Sequence, residues 1–392
     1  MICIIAPGSL EVPTYRGGGR EEQNYSLGLY LSKYFRIIII SPFYGLYIKK
    51  TFVNSNFRIE RVYFPSYKSY PSNFSLLGHI LSILSMYFYS ILASLKVIEL
   101  ARELKIVIIT DVLTGFLPAV VAKLLGLKLL FSEGNITPWF DPCLLYIRRS
   151  PFKKIFSSFE KISGKIVIKL SDTVRAQLSI IKKGMVENGV NVSKIVVIGP
   201  GIDVNMFKPS YGAKEFKIGF IGRLSDEKGA PLLLKICETL QNKLPKNKFK
   251  ILGDGPYMKC FKHLSNIEHI GWIKRSDIPA FLSDVNILLF FQKGLGVGEI
   301  EAMSMGKIII APNIGEIPSI IEHGKNGFLV APKAEFYVNA IKKIVNLEAP
   351  SLEKISENAR VKAVTSFSWK IIGEKWKSVI ESLLEVGYKG GL

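Results

Sequence analysis

Residues 217–231 read KIGFIGRLSDEKGAP. An apolar run stops at Gly222, a basic and an acidic stretch follow, and Lys228-Gly229 opens what reads as a helix. A strand that breaks at glycine and passes straight to a helix is the repeating unit of a parallel α/β sheet. The same unit recurs outward on both sides. Before it come ICIIA (2–6), IIIIS (37–41), IVIIT (106–110), LLFS (129–132), KIVIKL (165–170) and KIVVIG (194–199); after it come KFKILG (248–253), EHIGW (268–272), ILLFF (287–291) and KIIIAP (307–312). All are read as strands with helical stretches between them. Two such series imply two Rossmann-like halves, joined near GPGIDVNMFKPS (199–210), where Gly and Pro cluster in a connection suited to a hinge.

A chain of 392 residues suits two domains, each large enough to bury most of its apolar surface. The four cysteines are scattered and form no C-x-x-C pair, which fits reduced thiols and a cytoplasmic setting. The amino terminus has no basic leader or small-residue cleavage site and reads as a first strand. The net charge is +20, with 25 Lys and Arg against 12 Asp and Glu in residues 1–200, and 27 against 20 in residues 201–392. Such a field favours polyanions, anionic lipid or phosphorylated substrates. No basic motif interleaved with aromatics is found, so nucleic acid is not an expected partner. Residues 74–95 carry no charge and are long enough to span a bilayer. Strand-like runs that must share one sheet lie on both sides, however, so the expectation is a long helix, partly buried and partly on a lipid surface.

Chemistry is expected where strands meet glycines. YRGGGREEQN (15–24) puts Gly18 and Gly19 before a helix, where free backbone N–H groups face an anion, but it lacks the G-x-G-x-x-G spacing of a dinucleotide fingerprint. In the opening stretch, Arg223 and Lys228 lie five residues apart after a strand and can converge on a diphosphate beside Gly222. LGDGPY (252–257), with Gly253, is a further strand-to-turn. KGLGVGEIEAMSMG (293–306) packs four glycines and two acids around an apolar run, which marks a close backbone approach to something. No D-x-D-like pair stands at a strand end to hold a metal, and no cofactor is expected.

The succession GRLSDEKG, GDGP, GW, GLGVGEIEAMSMGKIIIAPNIGEIPSII and GKNGFLV resembles the nucleotide-sugar domain of the retaining glycosyltransferases of family 4. PGSLEVPTYRGGGREE resembles their acceptor-side loop, and FSWKIIGEKWKSVIESLL their last helix, which crosses back to the first domain. The resemblance implies a GT-B fold, two Rossmann-like domains facing across a cleft. It divides the chain into an acceptor-side domain (1–200), a nucleotide-sugar domain (201–366) and the crossing helix (367–392). It also implies a catalytic set of Arg223, Lys228 and Glu133. Substrate contacts would come from Gly18, Gly19, Gly222, Gly253, Lys293, Gly294, Leu295, Gly296, Val297, Gly298 and Glu301, the last accepting from the ribose hydroxyls. The substrate would be a nucleotide-sugar, its acceptor a glycan or a lipid-linked group. An anionic membrane surface is an expected partner, at the inner face of the cell membrane.

Two residues depart from the pattern. Lys293 stands where the family usually has an acid eight residues before Glu301, and Glu133 stands where it usually has a histidine. Either the sugar pocket is altered or catalysis is lost, so an inactive membrane-associated scaffold stays open beside the transferase, as does a nucleotide-sugar epimerase on the same fold. Glu299, two residues from Glu301, does not share its helical face and is not read as a substitute acid.

Overall fold

The computed structural model describes residues 1–7, 12, 19–43, 50–63, 76–133, 153–209, 216–241 and 248–385. They fall into two compact units: Met1–Thr14, Arg20–Pro200 and Ile372–Leu392 make one, Tyr15–Gly19 and Gly201–Ile371 the other.

The first unit contains β1 (Ile2–Ile5), α1 (Gly19–Leu31), β2 (Ile37–Phe43), β3 (Lys50–Asn54), β4 (Phe57–Tyr63), α2 (Leu76–Glu99), β5 (Ile106–Ile109), α3 (Val112–Leu124), β6 (Lys128–Glu133), α4 (Lys153–Leu170), β7 (Thr173–Ala176), α5 (Ser179–Glu187) and β8 (Ile195–Val197). Its sheet runs β3-β4-β2-β1-β5-β6-β7-β8, parallel except for the β3–β4 hairpin. Strand β1 lies in the middle, Ile2 opposite both Ile37 and Ile106. All four of its residues are buried, as a strand covered by helices on both faces requires.

The second unit contains β9 (Lys217–Ile221), α6 (Ala230–Gln241), β10 (Lys248–Leu252), β11 (Ile267–Gly271), α7 (Ile278–Ser283), β12 (Ile287–Leu289), α8 (Val297–Ser304), β13 (Ile308–Pro312), β14 (Phe328–Val330), α9 (Ala334–Val345) and α10 (Ala349–Phe367). Its sheet is wholly parallel in the order β11-β10-β9-β12-β13-β14. Helix α11 (Trp369–Glu385) begins beside the connection into this unit, where Trp369 N–H donates to the Ile202 carbonyl at 3.1 Å. From Ile372 onward it packs in the first unit, with Gly373 against the Tyr30 ring, Glu374 accepting from Tyr30 Oη at 2.7 Å, and Trp376 under the Arg175 guanidinium.

One expected strand is a helix. KIVIKL closes α4, and the burial pattern says why: Ser163 and Gly164, then Val167 and Ile168, face inward in pairs four apart, while Lys165, Ile166 and Lys169 face out. That is a helical period, not the alternation of a strand. The strand in this place is β7, only four residues long and containing the buried Arg175, whose Nε donates to the Ile198 carbonyl at 2.7 Å. Strands β3, β4 and β14 are additional to the expected series. Residues 74–95 fall largely in α2, and among the described residues no helix is long and apolar enough to cross a membrane.

Candidate nucleotide-sugar site

In the second sheet the chain winds outward from β9 through β10 to β11, then returns to start again at β12 beside β9. Connections on the two sides of that point leave in opposite directions, so a crevice opens at the carboxyl ends of β9 and β12. The loop after β9 carries Gly222 and Arg223, and the loop after β12 carries residues 292–296.

Backbone meets backbone under the first of these loops. Gly253, which follows β10, has φ +126°, and a Cβ there would lie 2.1 Å from the Gly222 carbonyl oxygen, so only glycine fits. The close approach holds the Gly222–Arg223 turn, with Gly222 N–H donating to the Leu252 carbonyl at 2.9 Å. Arg223 is half-exposed and lies 3.4 Å from Glu227. Lys228 ends a short 3-10 turn and donates from Nζ to Gln292 Oε1 at 2.6 Å, linking the β9 loop to the β12 loop. Burial holds its amine below the ordinary lysine value; Glu299 and Glu227 pull it back up and Arg223 pushes it down. A cation in that state gains from a bound phosphate.

Across the crevice Gly296 caps α8 in extended conformation, and the loop before it is clamped from behind. Leu295 N–H donates to Glu316 Oε2 at 3.0 Å, and Glu316 N–H returns a bond of 2.9 Å to the Lys293 carbonyl. Gly315 has φ +62°, and a Cβ there would lie 2.1 Å from the same carbonyl oxygen. Lys293 itself is exposed.

The two acids of α8 point to different neighbours. Glu301 is buried and ion-paired to Arg275 at 2.7 Å, and Arg275 lies over the Phe207 ring. Glu299 is 1% exposed and folds back toward Gly296. Burial lifts its carboxyl to about 7; Lys228 and the backbone N–H groups of Glu299 and Gly296 act against the rise, and Glu301 adds to it.

The fold therefore brings Gly222, Arg223, Lys228 and Gly253 together with the loop of Lys293, Gly294, Leu295, Gly296, Val297 and Gly298 and with Glu301. Gly18 lies outside the described residues. Gly19 opens α1, and Glu133 ends β6. Four residues of the site escaped sequence reasoning: Gln292, Arg275, Glu316 and Glu299 as a neighbour of Lys228. Glu316 follows the Gly315 turn and Arg275 follows the GW turn, so the signal was position after a strand end. In the first unit, Asp111 likewise caps α3, accepting from Thr114 N–H at 3.0 Å, and pairs with Arg20 at 3.4 Å.

Residues 202–362 match the family model described as "Glycosyl transferases group 1". The structure is similar over 98% of the chain to sucrose-phosphate synthase from Thermosynechococcus elongatus (TM-score 0.80, 14% identity, 99% of that chain). It is similar over 97% to Anabaena Alr3699/HepE, solved in complex with UDP-glucose (TM-score 0.70, 17% identity, 99% of that chain). In sequence the chain is 23% identical, over 56% of its length, to a relative in Escherichia coli (strain K12) that carries the name of a colanic acid biosynthesis glycosyltransferase, WcaL; the match spans 57% of that relative. The fold is GT-B, with two Rossmann-like domains. The family match lies within the second unit, Gly201–Ile371.

Proposed function

We propose that the protein transfers a sugar from a nucleoside-diphosphate sugar to an acceptor hydroxyl with retention of anomeric configuration. The observation that carries this reading is the convergence of Arg223 and Lys228, at the switch point of the second sheet, opposite the glycine loop that opens α8. Arg223 offers a forked donor and Lys228 a compact charge to the two phosphates, and the N–H groups at the start of α8 approach without an intervening side chain. As the glycosidic C–O bond breaks, negative charge grows on the β-phosphate, where these donors stabilise it. The departing phosphate oxygen takes the acceptor's proton on the same face, so no side-chain base is invoked. The two cations supply the charge that a metal would otherwise bring. Glu301, braced by Arg275, is assigned to the ribose hydroxyls as a pair of acceptors.

The acceptor in this reading is a surface glycan or its lipid-linked precursor, in line with the name of the Escherichia coli relative, and the UDP-glucose bound by Alr3699/HepE makes UDP-sugars the first donors to try. A cytoplasmic location belongs to the same proposal; Cys3, Cys237 and Cys260 are free thiols. The test is incubation with a panel of nucleotide sugars and glycan or prenyl-diphosphate acceptors, followed by NMR of the product. An α-linked product from an α-linked donor supports the reading. Return of an epimerised nucleotide sugar, or no turnover of any donor that binds, refutes it.

A further inference from the structure

Helix α2 turns an apolar face to solvent that sugar transfer does not use. Leu84, Phe88, Ile91, Leu95 and Ile98 are 43–58% exposed and alternate four and three residues apart. That spacing makes one straight stripe, about 21 Å long at 1.5 Å per residue. The other side of the helix is anchored: Tyr89, Ala93 and Val97 are fully buried, and Tyr89 Oη donates to the Ala6 and Ile40 carbonyls at 3.1 and 3.0 Å. Packing therefore holds the stripe outward. No charged residue occurs between positions 76 and 95.

Helix α3 packs against both α2 and α4, so α4 belongs to the same helical layer. Its outward residues mix Ile162 and Ile166 with Lys165 and Lys169, all exposed, and the helix holds five lysines against one glutamate. An exposed apolar stripe of this extent marks a contact surface. The four-three spacing would also suit a second copy of the helix, but the flanking Ser85, Tyr87 and Leu92 carry no charge to fix a helix pair in register, Lys96 and Glu99 at the far end of the stripe pair with each other at 2.7 Å, and two chains of charge +20 repel. A bilayer with anionic head groups meets both features, taking the apolar stripe at the acyl boundary and the lysines at the phosphates.

We propose that α2 and the outward face of α4 rest on an anionic lipid bilayer, with α2 lying along the surface. This goes beyond the transferase reading and does not depend on it. The experiment is co-sedimentation of the full chain with vesicles of phosphatidylcholine alone and of phosphatidylcholine mixed with phosphatidylglycerol. Wild type is expected to bind the mixed vesicles only and to leave them as salt rises. Ile91→Glu and Leu95→Glu should each weaken binding about tenfold, because each removes a half-exposed apolar side chain from the boundary, while thermal melting stays unchanged. Equal binding to both vesicle types, or to neither, overturns the proposal. So does sedimentation velocity that finds a dimer which Ile91→Glu splits, since the stripe then belongs to a second copy.

Discussion

Replacing Glu299 by glutamine should stabilise the second unit, and by an amount that depends on pH. The carboxyl is buried and titrates near 7, against an ordinary value of 4.5. Between those values the folded chain keeps a proton that the unfolded chain has released, so stability falls as pH rises through the window and levels off above it. At 1.36 kcal/mol per unit, a rise of roughly 2.5 units costs the native state about 3 kcal/mol at alkaline pH. Glutamine has no such charge to desolvate, and it keeps an oxygen that can accept from Gly296 N–H. Urea unfolding, followed on the transition of the second unit, should find the two proteins equal near pH 4.5 and the variant ahead by up to about 3 kcal/mol near pH 8. A difference that does not change with pH would refute the argument. A wild type that gains on the variant between pH 5 and 7 would mean that Glu299 is held ionised by Lys228 and that burial does not dominate.

Lys293→Glu should reverse donor preference: wild type is expected to favour a nucleotide sugar bearing a carboxylate or sulfonate over its neutral counterpart, and the variant the opposite, in competition assays with both donors present. Identical ranking by the two proteins would remove Lys293 from the sugar pocket. Gly315→Ala puts a Cβ against the Lys293 carbonyl at a positive φ, so the clamped loop must move; nucleotide affinity measured by calorimetry should fall about tenfold. Gly373→Ala drives a methyl into the Tyr30 ring, with 2.2 Å to its nearest atom, and should lower the stability of the first unit by about 2 kcal/mol in chemical denaturation.

Much of the second sheet was legible because its strands are short apolar runs that stop at glycine, as at Ile221-Gly222 and Leu252-Gly253. The first sheet was less so, since β7 is four residues with an arginine in it while the neighbouring KIVIKL carries more β-branched residues than the strand does. Local propensity lost there to the helical period of burial. Strands β3 and β4 were hidden by charge: Glu60 is buried in β4 because Lys96, Arg58 and Lys50 surround it at 2.8–3.7 Å, with Lys96 and Lys50 contributed by α2 and β3. The candidate site divides in the same way. Arg223 and Lys228 could be read from spacing after one strand, whereas the Arg275–Glu301 pair and the Glu316 clamp join residues that only the fold brings together.

The central claim is that Arg223 and Lys228 hold the diphosphate of a sugar donor. Calorimetric titration of UDP, and of the other nucleoside diphosphates if UDP does not bind, into wild type, Arg223→Ala and Lys228→Ala tests it most directly. Each substitution removes a charge-assisted contact worth about 1.5–3 kcal/mol, so affinity should drop roughly 10- to 150-fold in each variant with the melting temperature of the free protein little changed. Wild-type affinity in both variants, or no binding of any nucleoside diphosphate to the wild-type chain, would contradict the account.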